Sequence, residues 1–148
     1  MNHFLFLYGP LLKGGRYFES HLARCRALGP ATVTGRLLYL EEPGFAALVP
    51  DGEDKVAGGL FEVSEEELVS LDYLFGYAPG KPDASEFVRR HVSARAIKGD
   101  FDAESYFLRA ETLRKRFPEA LEIPGGNWDA FARRLSPLPQ YEEEPEES

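Results

Sequence analysis

The chain has 148 residues, 43% of them apolar, and a formal net charge of −8 at pH 7. That length suits one compact domain with its own core, and the acidic balance argues against a surface that tracks nucleic-acid phosphates. One cysteine cannot close an internal disulfide and the three histidines lack metal-ligand spacing, so no metal is expected.

Residues 3–8 are almost continuously apolar, the pattern of a strand buried on both faces. The run is too short for a signal peptide or a membrane span and lacks basic flanks, so a cytoplasmic protein without a membrane partner is the expectation. Gly9-Pro10 reads as a turn. The stretch from Gly9 to Gly15 hints at a phosphate loop but lacks the Gly-Lys-Ser/Thr order. Phe18, Leu22 and Cys25 fall at helical spacing, which predicts an amphipathic helix over 17–28, closed by Gly29-Pro30. Cys25 lies on its apolar face, as a buried structural thiol does.

Residues 32–40, 45–49 and 56–63 read as three strands, separated by Pro43-Gly44 and Asp51-Gly52. Gly58 and Gly59 predict a bulge or a close backbone approach. Ser64 and Glu67 form a capping box for a helix through Leu68, Leu71 and Leu74 that stops at Gly76. Residues 77–85, with two prolines and Gly80, are a loop. Residues 86–97 and 101–109 flank Lys98-Gly99-Asp100 as a hairpin. Asn127 caps a last helix through Leu135. Residues 136–148 are rich in Pro and Glu and read as a disordered acidic tail. Six or so strands with segregated helices make an α+β domain over 1–135.

Several segments resemble the γ-glutamylcyclotransferase-like family, which includes the avirulence-induced-gene-like proteins. Tyr8-Gly9-Pro10-Leu11 is similar to its Tyr-Gly-Ser/Thr-Leu turn, and residues 56–63 to its Val-x-Gly-Glu-Leu-Tyr-x-Val strand. Leu71-Asp72-Tyr73-Leu74-Phe75-Gly76 resembles its Leu-Asp-x-x-Glu-Gly helix end, and residues 123–128 its Ile-x-x-Gly-Asp-Trp turn. The resemblance implies a small mixed β-barrel with helices packed outside it. It implies a reaction in which the substrate's α-amine attacks its γ-glutamyl carbonyl, releasing an amine and 5-oxoproline. Backbone amides of the first turn would hold the α-carboxylate, and a Glu would carry protons. No metal or cofactor takes part.

Three positions of the implied site depart from that pattern. Pro10 replaces the Ser/Thr and removes an amide donor. Phe75 replaces the catalytic Glu and transfers no proton. Phe87 replaces the tyrosine of a Tyr-x-Arg strand, while Arg89 keeps the arginine, with Asp72 its expected partner. Glu86 is the one substitute carboxylate, but strand alternation points it away from the face of Phe87. Tyr8, Gly9, Pro10, Leu11, Phe75 and Phe87 are therefore the expected lining of a small-molecule site, with no assured catalytic group. The expectation is altered or very weak activity on γ-glutamyl amines or amino acids. The alternative is a non-catalytic domain that binds a small molecule or a protein through the same cavity.

Overall fold

The computed structural model of the chain describes residues 2–9, 22, 25–40 and 45–135, with the side chains of 134 and 135 excepted. Pro10, Leu11, most of the expected first helix and the expected tail over 136–148 lie outside these residues.

Strand β1 (His3–Leu7) buries Leu5, Phe6 and Leu7 completely, so both of its faces are covered. It runs antiparallel to β3 (Phe45–Val63), from His3 opposite Val63 to Leu7 opposite Gly59. Its other edge meets β5 (Gly99–Leu108) in parallel, through the single pair Leu5 and Glu104. Two side chains strengthen that contact: the hydroxyls of Ser105 and Tyr8 donate to the carbonyls of Phe6 and Tyr106, each at 2.7 Å. Strand β2 (Arg26–Leu40) pairs with β3 along most of its length, and with β4 (Phe87–Ala96) at Ala31 and Thr32. β4 and β5 form a hairpin whose turn is Ile97-Lys98, with Ala96 opposite Gly99. The two-residue β6 (Leu121–Glu122) adds to β2. Through β1, β3, β2, β4 and β5 the pairings return to their start, so the six-stranded mixed sheet has a ring-like bonding pattern. The domain is α+β.

The hairpin turn falls at 97–98 rather than the expected 98–100, and two other strand boundaries differ more widely from expectation. The helix predicted over 17–28 cannot extend so far, because Arg26 already opens β2, opposite Glu62. Backbone pairing with β3 outweighs the local helical spacing of three side chains, and Gly29-Pro30 lies inside the strand beside a register shift. Residues 45–49 and 56–63 belong to one element rather than two. Register jumps from Gly35 opposite Asp54 to Arg36 opposite Val49, so residues 50–53 bulge out without ending the strand. The close approach predicted at Gly58 is real. A Cβ there would lie 2.3 Å from the Leu7 carbonyl oxygen and 2.6 Å from the Phe6 ring.

Helix α1 (Glu65–Leu74) begins at the predicted capping box: the Glu67 amide donates to Ser64 Oγ at 3.2 Å, and the Ser64 amide to Glu67 Oε1 at 2.7 Å. It ends in a Schellman motif. Gly76, at φ 66°, donates to the Tyr73 carbonyl, and the Tyr77 amide reaches back to that of Asp72 at 2.8 Å. Helix α2 (Ala110–Arg116) follows β5 directly, in a stretch for which no element was predicted. Helix α3 (Trp128–Leu135) starts at Asn127, whose Oδ1 accepts from the Ala130 amide at 3.1 Å. Trp128 and Phe131 pack on Tyr39 of β2, with ring centroids 6.3 and 5.2 Å away. Among the described residues no helix is long and apolar enough to cross a membrane.

Candidate functional site

The C-terminal end of α1 delivers two side chains to the interior. Asp72 is buried, and both its oxygens accept from Arg89 Nη1 of β4. The Tyr106 hydroxyl of β5 donates to the same carboxylate. Arg89 also has Glu104 Oε2 3.4 Å from its Nε, and its guanidinium lies 5.2 Å from the centre of the Tyr77 ring. Burial works to lower the Arg89 pKa, but Asp72 and Glu104 outweigh it and hold it above the ordinary value. Burial, then Asp72, raises the Tyr106 phenol. The predicted Asp72–Arg89 pair is therefore present, as part of a larger buried network. Tyr106 and Glu104 were missed, although a two-residue turn at 97–98 would have set Arg89 opposite Tyr106.

Phe75, the C-cap of α1, is 2% exposed. Its ring stacks on Tyr106 at 4.1 Å and 8°, and meets Phe87 and Phe45 edge-on at 5.2 and 5.5 Å. The phenol of Tyr106 is thus sandwiched between Asp72 on its hydroxyl and Phe75 on its face. Tyr8 lies deeper and is fully buried. Its hydroxyl donates to the Tyr106 carbonyl and accepts from the Leu48 amide at 3.2 Å, so its hydrogen-bonding capacity is spent on the sheet. Gly9 turns the chain at φ 65°, where a Cβ would lie 2.8 Å from that of Ala46. This is a position for glycine on both counts. Pro10 and Leu11, the other half of the expected turn, lie outside the described residues.

A cleft of about 150 Å³ opens beside Phe75. Among the described residues, Leu40, Phe45, Leu74, Phe75, Phe87 and Phe117 form its apolar walls, and Glu86 and Arg116 also line it. Phe75 and Phe87 both line this cleft, and the Tyr8 ring meets Phe75 from the interior, centroids 6.4 Å apart. The expectation that Glu86 points away from Phe87 is overturned. Glu86 sits in the bend before β4, not within it, so strand alternation does not govern its side chain. Its Oε1 stands 3.7 Å from where a Cβ on Gly76 would be, at the corner that Phe75 also occupies. The carboxylate forms an ion pair with Arg116, and both side chains are about half exposed. Arg116 in turn lies 5.1 Å from the centre of the Phe117 ring.

Elsewhere, Cys25 is an unpromising nucleophile. Burial, reinforced by the nearby Glu67 carboxylate, pushes its thiol up to about 12. Among the described residues no group of three or more His, Cys, Asp or Glu side chains is placed to hold a metal ion. Among the described residues, the chemistry on offer is an apolar cleft lined also by one carboxylate and one guanidinium.

A sequence model of the family described as "Gamma-glutamyl cyclotransferase, AIG2-like" matches residues 5–130. A protein of Halalkalibacterium halodurans named "Putative gamma-glutamylcyclotransferase" is 31% identical over 109 residues, 73% of this chain and 85% of that protein. Among solved structures, YkqA of Bacillus subtilis superposes with a TM-score of 0.69 at 22% identity, over 91% of this chain. The chain spans only 42% of YkqA. An aig2-like protein of Mus musculus superposes with a TM-score of 0.61 at 19% identity, over 76% of this chain and 82% of the mouse protein. At these identities the two structures speak for the fold alone.

Proposed function

The chain belongs to the gamma-glutamyl cyclotransferase, AIG2-like family, and from that membership we propose a γ-glutamylcyclotransferase-like protein with altered or very weak activity on γ-glutamyl amines or amino acids. The observation that carries this reading is Phe75. Where the family resemblance calls for a Glu, the side chain is a buried phenyl stacked on Tyr106. It can neither take a proton from an α-amine nor return one to a leaving amine. Losing a general acid/base costs on the order of 100- to 10,000-fold in rate.

Glu86 is the carboxylate that lines the same cleft. It enters as a proton carrier only if its pair with Arg116 opens, so it supports residual rather than full turnover. Pro10, by removing an amide hydrogen from the implied carboxylate-binding turn, works in the same direction. A second reading, non-catalytic binding of a small molecule, is favoured by the apolar walls around Phe75 and Phe87. A cytoplasmic location belongs to this proposal too, and cell fractionation tests it.

The activity test is release of 5-oxoproline from a panel of γ-glutamyl amines and amino acids. Wild type is expected to be slow. Phe75→Glu should raise turnover by about 100-fold or more, and further when combined with Pro10→Ser. Robust turnover by wild type, unchanged by Phe75→Glu but lost in Glu86→Gln, would transfer the acid/base role to Glu86. Silence of a folded double variant would favour the binding reading.

A further inference from the structure

The cleft beside Phe75 carries charges of both signs at the edge of an apolar hollow. Its size bounds the apolar part of a ligand: the cleft is about 150 Å³, and an enclosed apolar cavity of about that volume takes a single benzene ring. Its walls select the shape. Phe75, Phe87, Phe45 and Phe117 line it, and Phe75 already meets Phe87 and Phe45 edge-on, the arrangement that aromatic quadrupoles favour.

The edge bounds the polar part. Glu86 and Arg116 pair with each other, and among the described lining residues they are the charged ones. Arg109 donates to the carbonyls of Asp83 and Ser85 and pairs with Glu111, which also holds Lys115. A ligand with one negative charge would gain Arg116 but confront the Glu86 carboxylate. A ligand with one positive charge would gain Glu86 but confront the guanidinium. A zwitterion satisfies both by inserting into the pair, exchanging one ion pair for two. Both side chains are about half exposed, so parting them is inexpensive.

We infer that this cleft binds a free α-amino acid with a phenyl-sized side chain, the ring among Phe75, Phe87 and Phe117, the ammonium on Glu86 and the carboxylate on Arg116. The inference rests on the same cleft as the proposed function but requires no turnover.

Calorimetric titration of the full chain with L-phenylalanine, 3-phenylpropionate, 2-phenylethylamine and glycine tests it. Phenylalanine should bind. Each single-charge probe should bind about two- to fivefold more weakly, and glycine, with no ring to bury, about tenfold more weakly or worse. Glu86→Gln should bring phenylalanine down to the level of phenylpropionate. Arg116→Gln should bring it down to that of phenylethylamine. Thermal melts confirm that both variants are folded, as expected for half-exposed positions. No phenylalanine binding at millimolar concentration overturns the inference. So does a single-charge probe that binds as tightly as phenylalanine, or a folded variant whose phenylalanine affinity is unchanged. Because the titration involves no chemistry, its outcome is independent of 5-oxoproline release, and either proposal can fail alone.

Discussion

Arg89 keeps the Asp72 carboxylate partnered inside the molecule, with Tyr106 completing the hydrogen bonding. Removing one member of a buried charge pair leaves the other desolvated and uncompensated, which costs more than the pair contributes when intact. Arg89→Met should therefore destabilise by about 3 kcal/mol in urea unfolding. A loss within error would mean that Tyr106 and water satisfy Asp72 at no cost. Asp72–Arg89 was legible in the sequence because both types recur at the positions of a family pattern. Tyr106 was not, since its role depends on the exact register of the β4–β5 hairpin. Glu86 was misread for a related reason. Alternation predicts side-chain direction only within a strand, and Glu86 stands one residue before β4 begins.

Local hydrogen bonds set the ends of α1, and they are the most legible part of the fold. Ser64 and Glu67 lie three residues apart, and each satisfies the other's amide. Ser64→Ala should thus cost about 1 kcal/mol of stability by urea unfolding. No change would imply that the helix starts elsewhere. At the far end Gly76 permits the left-handed turn that leaves Phe75 facing Tyr106. The start of β2 was illegible for the opposite reason. Nothing within 17–30 announces a partner at 59–62, and only that partner turns residues 26–30 into strand. Likewise Asp51-Gly52 reads as a chain reversal, yet β2 holds both flanks and reduces it to a bulge.

On the scale of the whole molecule, burial has moved three acidic groups in one direction. Tyr8 and Tyr106 hold their protons more tightly than free phenols, and the Cys25 thiol is pushed up to about 12. A folded pKa above the unfolded one means that the unfolded chain loses its proton first as pH rises. Stability from these groups is therefore complete below their unfolded values, and is lost progressively above about pH 9 for the thiol and about pH 10 for the phenols. Melting temperature should fall steadily between about pH 9 and pH 11. A flat profile would show that these side chains reach water in the native state. The α+β class and most strands were legible from alternation and turn residues. The ring-like closure was not, because it depends on pairs such as Leu5 with Glu104 that leave no local trace.

That closure has a consequence for how the chain is made. β1 needs β3 on one edge and β5 on the other, and its partner Glu104 lies about a hundred residues downstream, a strongly non-local contact. At about 5–20 residues per second, synthesis leaves that edge of β1 without its partner for roughly 5–20 seconds. Throughout that interval the nascent chain presents His3–Leu7, an almost wholly apolar strand with open backbone groups, to whatever else is nearby. The β4–β5 hairpin folds from local contacts once it emerges, and its arrival ends the exposure. Stalling translation before residue 104 should therefore yield chaperone-bound or aggregated chains, whereas stalling well beyond residue 108 should yield soluble ones.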